Sequence, residues 1–369
     1  MIKKINFTDV NPLSKKTLVS INNSISKVIR KKNFILGNEV FEFEKKFSQI
    51  SKSKFSVSCG SGTDALILCL MSLNLKSTDE VIVPGLTYIS TGLAVILNNN
   101  KLVLADIDDK TGLISIEKLK NKITKKTKAI IAVNLYGQKV NIKKLRQVVG
   151  KKIHIIEDSA QSHFAFNGNE KKVTTDRYSD ASCYSFYPAK NLGAYGDGGL
   201  ITVNKETQYK KLLALRNLGS IKKNEHILKG MNSRLDTLQA AVLKNKVNSV
   251  LNFNDKRRKI AKIYDKNLIS VKQVKITVTN DGSTRHLYVI RVKNRNSLIK
   301  YLSKKKIFCQ IHYPYSLNKL KAFEGKIKKI KLKNSELWAN QCLSLPIHPN
   351  LSINEAKKVV REIKNYFKP

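Results

Sequence analysis

The sequence predicts an α/β protein: a large domain on a mostly parallel seven-stranded sheet flanked by helices, then a small C-terminal α+β domain. Three observations support this. Seven short, β-rich apolar runs fall within the first two thirds of the 369 residues. Most are separated by 15 to 25 residues with helical character, room for the crossover that a parallel pair needs. After about residue 250 the rhythm changes, which divides the chain into 1–250 and 251–369.

In order, the strands are expected at 55–58 (FSVS), 80–83 (EVIV), 102–105 (LVLA), 129–133 (AIIAV), 153–156 (IHII), 181–186 (ASCYSF) and 200–203 (LITV). Near-continuous apolar character marks strands buried on both faces. Apolar spacing places helices at 63–75, 116–121, 143–149, 207–218 and 234–250. The C-terminal part reads as a strand at 285–292 and helices at 295–305 and 353–367. No internal repeat or low-complexity linker interrupts this order.

Composition narrows the class. With 41% apolar residues, the chain can bury a substantial core. No apolar stretch approaches the roughly 18 to 20 residues that span a bilayer, and the first 16 residues lack the apolar region of a signal peptide. The expectation is a soluble, cytoplasmic protein with no membrane partner. Five cysteines without a CxxC pair suit a reducing compartment rather than a disulfide framework or zinc ribbon.

Charge is the loudest signal. There are 69 Lys+Arg against 27 Asp+Glu, a formal +42. Taken alone, that suggests nucleic acid. Yet 58 of the basic residues are lysine, spread along the whole chain, whereas nucleic-acid readers lean on arginine forks and interleaved aromatics. Solvated faces are the better reading, and no nucleic-acid partner is expected. Residues 55–75 carry no Lys or Arg, and 181–203 carry only Lys190.

Ligands of open parallel sheets bind beyond the carboxyl ends of the strands, and four such corners hold unusual residues. Ser58-Cys-Gly-Ser-Gly-Thr-Asp-Ala65 runs from a strand through glycines into an apolar helix. It can receive a phosphate on main-chain N–H groups and the Ser61 and Thr63 hydroxyls, or be a simple N-cap. It is not a P-loop, since no Gly-Lys-Ser/Thr follows. Tyr88 follows the second strand and either stacks on a flat ring or packs ordinarily. Glu157-Asp158 ends the fifth strand, where a carboxylate can pair with a buried cation or cap a helix. Gln161 and His163 follow. Lys190 sits alone in an apolar, glycine-rich loop, where desolvation favours the neutral amine that forms Schiff bases.

Phosphate site, stacking ring, carboxylate for a ring nitrogen and reactive lysine together are what pyridoxal 5'-phosphate requires. Here the sequence resembles the DegT-type (DegT/DnrJ/StrS) sugar aminotransferases, vitamin B6 enzymes of fold type I. The resemblance spans the chain: Phe34-Ile-Leu-Gly-Asn-Glu-Val40, Gly60-Ser-Gly-Thr-Asp64, Glu157-Asp-Ser-Ala-Gln161, Ser185-Phe-Tyr-Pro-Ala-Lys-Asn191, Asn232-Ser-Arg-Leu-Asp-Thr-Leu-Gln-Ala240 and Leu343-Ser-Leu-Pro-Ile-His-Pro349. It implies that Lys190 holds the cofactor covalently and that Asp158 pairs with the pyridine nitrogen. Gln161 would lie beside the ring hydroxyl. Gly62, Thr63, Asp64 and Ser185 would bind the phosphate, and Tyr88 would cover the ring. Asn232 would complete the phosphate cradle of a neighbouring subunit, making a homodimer with shared sites. Met231 and Leu86 depart from the family's usual residues, which touches the substrate side only.

The resemblance further implies an amino group moved from L-glutamate to a nucleotide-linked keto-deoxysugar, a dTDP-3-keto-6-deoxyhexose first, for aminosugar and glycan biosynthesis. His163, Asn191, Arg234 and Tyr313 are the substrate-side candidates; no metal is expected. Alternatives are a 4-keto UDP-, GDP- or dTDP-sugar as acceptor, a sugar dehydratase on the same fold, where histidine typically replaces the lysine, or a non-catalytic basic nucleic-acid-binding protein.

Overall fold

The computed structural model describes residues 4–10, 13–166 and 178–368. All seven expected strands form: β1 (Phe55–Cys59), β2 (Glu80–Pro84), β3 (Lys101–Ala105), β4 (Thr127–Val133), β5 (His154–Asp158), β6 (Ala181–Ser185) and β7 (Gly199–Val203). They build one sheet in the order β1-β7-β6-β5-β4-β2-β3. Strands β2, β3, β4, β5 and β6 pair in parallel, while β7 runs antiparallel to both β6 and β1. The segment joining β6 to β7 contains no helix, so the chain turns straight back. Six strands therefore end on one rim of the sheet, and β7 starts there.

The helices are α1 (Lys15–Lys31), α2 (Asn38–Ser51), α3 (Gly62–Ser72), α4 (Ile89–Leu97), α5 (Ile116–Leu119), α6 (Ile142–Val149), α7 (Glu206–Leu215), α8 (Thr237–Lys246), α9 (Val250–Leu268), α10 (Arg295–Lys304), α11 (Lys333–Gln341) and α12 (Ile353–Tyr366). Three expected boundaries move for local reasons. The helix expected over 63–75 ends at Ser72, where Asn74 turns left-handed at φ 54°. The one expected over 207–218 stops at Leu215, because Leu218 and Gly219 both adopt positive φ and open the hairpin β8 (Ser220–Lys222) and β9 (Glu225–His226). The one expected over 234–250 begins only at Thr237, whose N–H is held by the Phe34 carbonyl, and breaks at 247–249 before α9.

Both faces of the central strands are covered, as a parallel sheet requires. Val57, Val83, Ile131, Ile156 and Ile201 pack with Leu68 and Leu70 of α3, and Ile82, Ile130 and Ile155 pack with Ile142 and Leu145 of α6. A separate core joins Tyr264 of α9 and Val359 and Ile363 of α12 to the sheet β10 (Lys275–Ile276), β11 (Tyr288–Arg291) and β12 (Cys342–Leu345). The strand expected over 285–292 shrinks to Tyr288–Arg291, since Arg285 is left-handed at φ 47°. Packing crosses residue 250 in both directions. Ile5 lies in the C-terminal core, its N–H bonded to the Lys306 carbonyl. Trp338, fully buried, joins the core of the large sheet and stacks on Tyr136.

A buried ion pair lies under the first corner. Glu44 of α2 accepts from the Ser58 N–H and hydroxyl at 2.7 Å each and pairs with Arg216, whose guanidinium also donates to the Ser58 carbonyl at 2.9 Å. Breaking a buried pair leaves an uncompensated charge, which costs about 3–5 kcal/mol, whereas exposed pairs contribute about 1 kcal/mol or less. Glu44→Ala is accordingly expected to lose several kcal/mol in urea denaturation, and Glu42→Ala, at the half-exposed Lys244 pair, about 1 kcal/mol or less. Equal losses would show that the Glu44 site carries no special burden.

Candidate active site

One cavity of about 630 Å³ opens at the sheet rim where the strands end. That volume suits a small-molecule ligand. Of the expected site residues, Gly62, Thr63, Tyr88, Asp158, Gln161, Ser185, Lys190 and Tyr313 all line it. Lys190 is its only lysine or arginine among the described residues, against 69 in the chain.

The first corner is a helix N-terminus. Ser61 caps α3 by accepting from the Asp64 N–H at 3.1 Å, while the first-turn N–H groups of Gly62 and Thr63 have no intrahelical acceptor. These donors and the helix dipole face the cavity beside Ser185. Asp64 departs from expectation: its N–H is taken by Ser61, and its carboxylate accepts from Ser233 at 2.7 Å. Ser233 Oγ in turn accepts from the Gly60 N–H at 2.9 Å, so Asp64 braces the turn from behind. Thr63 Oγ1 is shared with Ser90 at 2.7 Å.

Glu157 and Asp158 point to opposite faces of β5. Glu157 meets Lys139 at 3.3 Å, both buried, which accounts for the pairing with a buried cation. Asp158 faces the cavity. One of its oxygens accepts from the Thr91 hydroxyl at 2.8 Å and the other from the Ala160 N–H at 3.2 Å. Burial still drives its pKa upward, outweighing those two bonds and Lys190. The same burial lowers the Lys190 amine to about 8, with Asp158 pulling the other way.

Gln161 is fixed at both ends. Its Oε1 accepts from the Tyr136 N–H at 2.6 Å, and its Nε2 donates to the Tyr313 hydroxyl at 2.9 Å. Tyr313 tilts against Tyr88, ring centres 5.7 Å apart, and Tyr88 is 57% exposed, a free aromatic face at the cavity mouth.

Four expected residues lie elsewhere. His163 is fully buried beneath the wall, its Nε2 donating to the Ser185 carbonyl at 2.9 Å and its pKa pushed down to about 3 by burial. Asn191 is buried behind Lys190, bonded to Asn254 and Thr284. Neither lines the cavity, because the chain after each strand end turns these side chains into the core. Asn232 is exposed and bridged to Asn217, and Arg234 donates to Asn217 at 2.9 Å. Neither is among the residues that line this chain's own cavity.

Sequence reasoning missed Thr91, which orients Asp158 from one turn inside α4, and the lining residues Phe7, Gln310, His286 and His312. Phe7 stacks on His312 at 5.6 Å. Thr91 lies only three residues past Tyr88, at a corner the sequence already marks. His312 adjoins the candidate Tyr313, whereas Phe7, Gln310 and His286 come from distant segments without local signals. No group of three metal-ligating side chains occurs among the described residues, and no helix there is long and apolar enough to cross a membrane.

Comparison with known proteins agrees with this geometry. Residues 17–364 match the DegT/DnrJ/EryC1/StrS aminotransferase family. The chain is 39% identical over 365 residues to the dTDP-3-amino-3,6-dideoxy-alpha-D-galactopyranose transaminase of Aneurinibacillus thermoaerophilus, covering 98% of this chain and 99% of the relative. It is 36% identical to the UDP-2-acetamido-2-deoxy-3-oxo-D-glucuronate aminotransferase of Pseudomonas aeruginosa, over 98% and 100% of the two chains. Among solved structures, DesV of S. venezuelae superposes with a TM-score of 0.94 at 31% identity, covering 99% of each chain. NtdA of Bacillus subtilis, with bound cofactor PMP, gives 0.92 at 27% identity, over 100% of this chain and 86% of NtdA. The chain belongs to the DegT/DnrJ/EryC1/StrS aminotransferase family and has the fold of these enzymes.

The tightest point of the site is Gly62, where an added Cβ would lie 2.5 Å from Ser185 Cβ. Gly62→Ala must push α3 and the end of β6 apart, at an overpacking cost of about 1–3 kcal/mol. The expected outcome is a lower denaturation midpoint together with weaker phosphate-ester binding; a variant with wild-type values for both would show that the two elements are not in register-determining contact.

Proposed function

We infer that the protein is a pyridoxal 5'-phosphate-dependent aminotransferase that moves an amino group from L-glutamate to a nucleotide-linked keto-deoxysugar, a dTDP-3-keto-6-deoxyhexose first. The observation that carries the reading is the pair Asp158 and Lys190: a buried carboxylate and a desolvated amine, in a cavity with an anion-binding helix terminus and an exposed tyrosine face. The residues present fit this cofactor. A carboxylate whose pKa is raised by burial lacks a close cation, and a protonated ring nitrogen is the partner that would return it to the ionised form. The first-turn N–H groups of α3 and the Ser185 hydroxyl suit a phosphate, and Tyr88 suits a ring face.

Bound, the cofactor supplies an electron sink for the bond that loses its proton next to the transferred nitrogen. The chain does the rest. Lys190 Nζ, its pKa lowered by burial, would take that proton and return it to the carbon on the other side of the nitrogen, as general base and then acid. Asp158, steadied by Thr91 and the Ala160 N–H, keeps the opposite end of the system charged. Gln161 and Tyr313, locked to each other and to the Tyr136 main chain, hold the wall against which the substrate is oriented.

The sugar acceptor rests on the named activities of the relatives, of which the one 39% identical is a transaminase of a dTDP-linked 3-amino sugar. Exposed Asn232 and the Arg234 beside it support a homodimer in which each chain completes its partner's phosphate cradle. The absence of basic side chains other than Lys190 among the described cavity residues supports solvated lysine faces over a nucleic-acid site, and the cytoplasm remains the proposed location.

Purified protein supplied with glutamate and a dTDP-3-keto-6-deoxyhexose should yield the 3-amino sugar, located by NMR. Amination only of a 4-keto sugar would replace the acceptor, and Lys190→Ala with full transaminase activity would end the reading. The pH dependence is equally specific. At pH 7 an amine of pKa about 8 is roughly one-tenth neutral, against roughly one part in three thousand for an ordinary lysine. Capture of pyridoxal 5'-phosphate by apoprotein, followed by absorbance, should therefore accelerate about tenfold per pH unit below pH 8 and level off above it. Continued acceleration to pH 10 would mean an unperturbed lysine.

A further inference from the structure

His286 is a lining residue of the cavity that no part of the proposed mechanism uses, and its ring is fixed by a chain of amides. Asn191 Nδ2 donates to the Thr284 carbonyl at 3.2 Å and to Asn254 Oδ1 at 2.7 Å. A main-chain carbonyl can only accept, so the Asn191 amide cannot be turned around. Asn254 is oriented likewise, its Nδ2 donating to the His163 carbonyl at 3.0 Å. The remaining Asn191 atom, Oδ1, meets His286 Nδ1 at 2.9 Å. Two acceptors cannot bond, so Nδ1 carries the ring proton. From the other side Arg257 donates to the His286 carbonyl at 3.2 Å, which holds the backbone.

The consequence falls on Nε2. His286 is only 8% exposed and buried with its pKa driven well below the usual histidine value by burial, with Lys190 and Arg257 adding to it, so the ring is neutral and Nε2 is a bare lone pair. It has no hydrogen-bond partner among the described residues, and the ring borders the cavity that holds Lys190, Gln310 and Tyr313. A bare acceptor repels glutamate's two carboxylates, and glutamate's one donor, its amino group, is the nitrogen handed to the cofactor, so glutamate is not its ligand. The cofactor's phosphate, ring nitrogen and ring oxygen already have candidates in the α3 terminus, Asp158 and Gln161. The donors left over are the hydroxyl groups of the sugar. We propose that His286 Nε2 accepts a hydrogen bond from a ring hydroxyl of the keto-sugar acceptor, a specificity-determining contact whose acceptor-only character is enforced by the Asn254–Asn191 amide chain. The inference rests on the sugar-aminotransferase reading above.

His286→Asn tests it in the holoenzyme, because an asparagine amide can still donate to Asn191 from the place of Nδ1 while nothing replaces Nε2. A neutral hydrogen bond corresponds to a few-fold to about tenfold change. KM for the keto sugar is expected to rise by about that factor with a smaller change in kcat, and the KM for glutamate to move less than the KM for the sugar. A sugar KM at the wild-type value, or equal losses toward both substrates, would overturn the proposal. A second measurement needs no variant: in ¹⁵N-histidine-labelled holoenzyme, His286 should show the Nδ1–H neutral tautomer, and its bare Nε2 resonance should shift on addition of the dTDP-amino sugar product. An Nε2–H tautomer, or no shift at saturating product, refutes it. Wild-type protein active on glutamate yet on no keto sugar would instead sink the substrate reading, and this inference with it.

Discussion

The carboxylate of Asp158 is the constraint around which the rest is arranged. It ends the middle strand of a sheet covered on both faces, so water is largely excluded, and it must be held by groups the fold supplies. Thr91 reaches it from α4 and the Ala160 N–H from its own loop. An acid kept there at a cost in desolvation makes physical sense only opposite a positive charge, and everything near it serves that arrangement. The single lysine among the described lining residues shares its cavity, the anion-binding turn of α3 lines the same cavity, and no further Lys or Arg among those residues competes.

The supports of that arrangement are themselves buried and polar. Glu44 and Arg216 grip Ser58 immediately before the glycine turn, and Asp64 with Ser233 grips Gly60. Lys139 and Glu157 tie the end of β5 to its opposite layer. Ion pairs of this kind add little net stability compared with apolar packing. Their value is positional, since each charged group has one arrangement that satisfies it, and the turn between them inherits that arrangement.

Much of this was legible in the sequence, for reasons that differ by element. The seven strands were readable because both faces are buried and the runs are therefore apolar without interruption. The corners were readable because Lys190 breaks a background of polar lysine runs and because Gly60 and Gly62 precede an apolar helix. Helices α1, α2, α4, α9 and α11 are not among those expected: α1, for one, buries only Ile21 and Val28 among seventeen residues, too thin an apolar stripe against its lysines and asparagines. His163 and Asn191 were misplaced because proximity in sequence to a reactive residue says nothing about which way a turn aims the next side chain. His286, Gln310 and Phe7 had no local signal at all, since each reaches the cavity from a segment whose own pattern describes a different core.

The short stretch around Ile5 carries a consequence for how the molecule is made. It leaves a ribosome about 300 residues ahead of its hydrogen-bonding partners at Lys306 and Phe308. Until then the leading segment, including the phenyl ring that later rests on His312, has no docking place. Closure of such a long loop is entropically slow, so the pocket wall is completed last, and a nascent chain with every strand of the main sheet in place would still have an unfinished binding site.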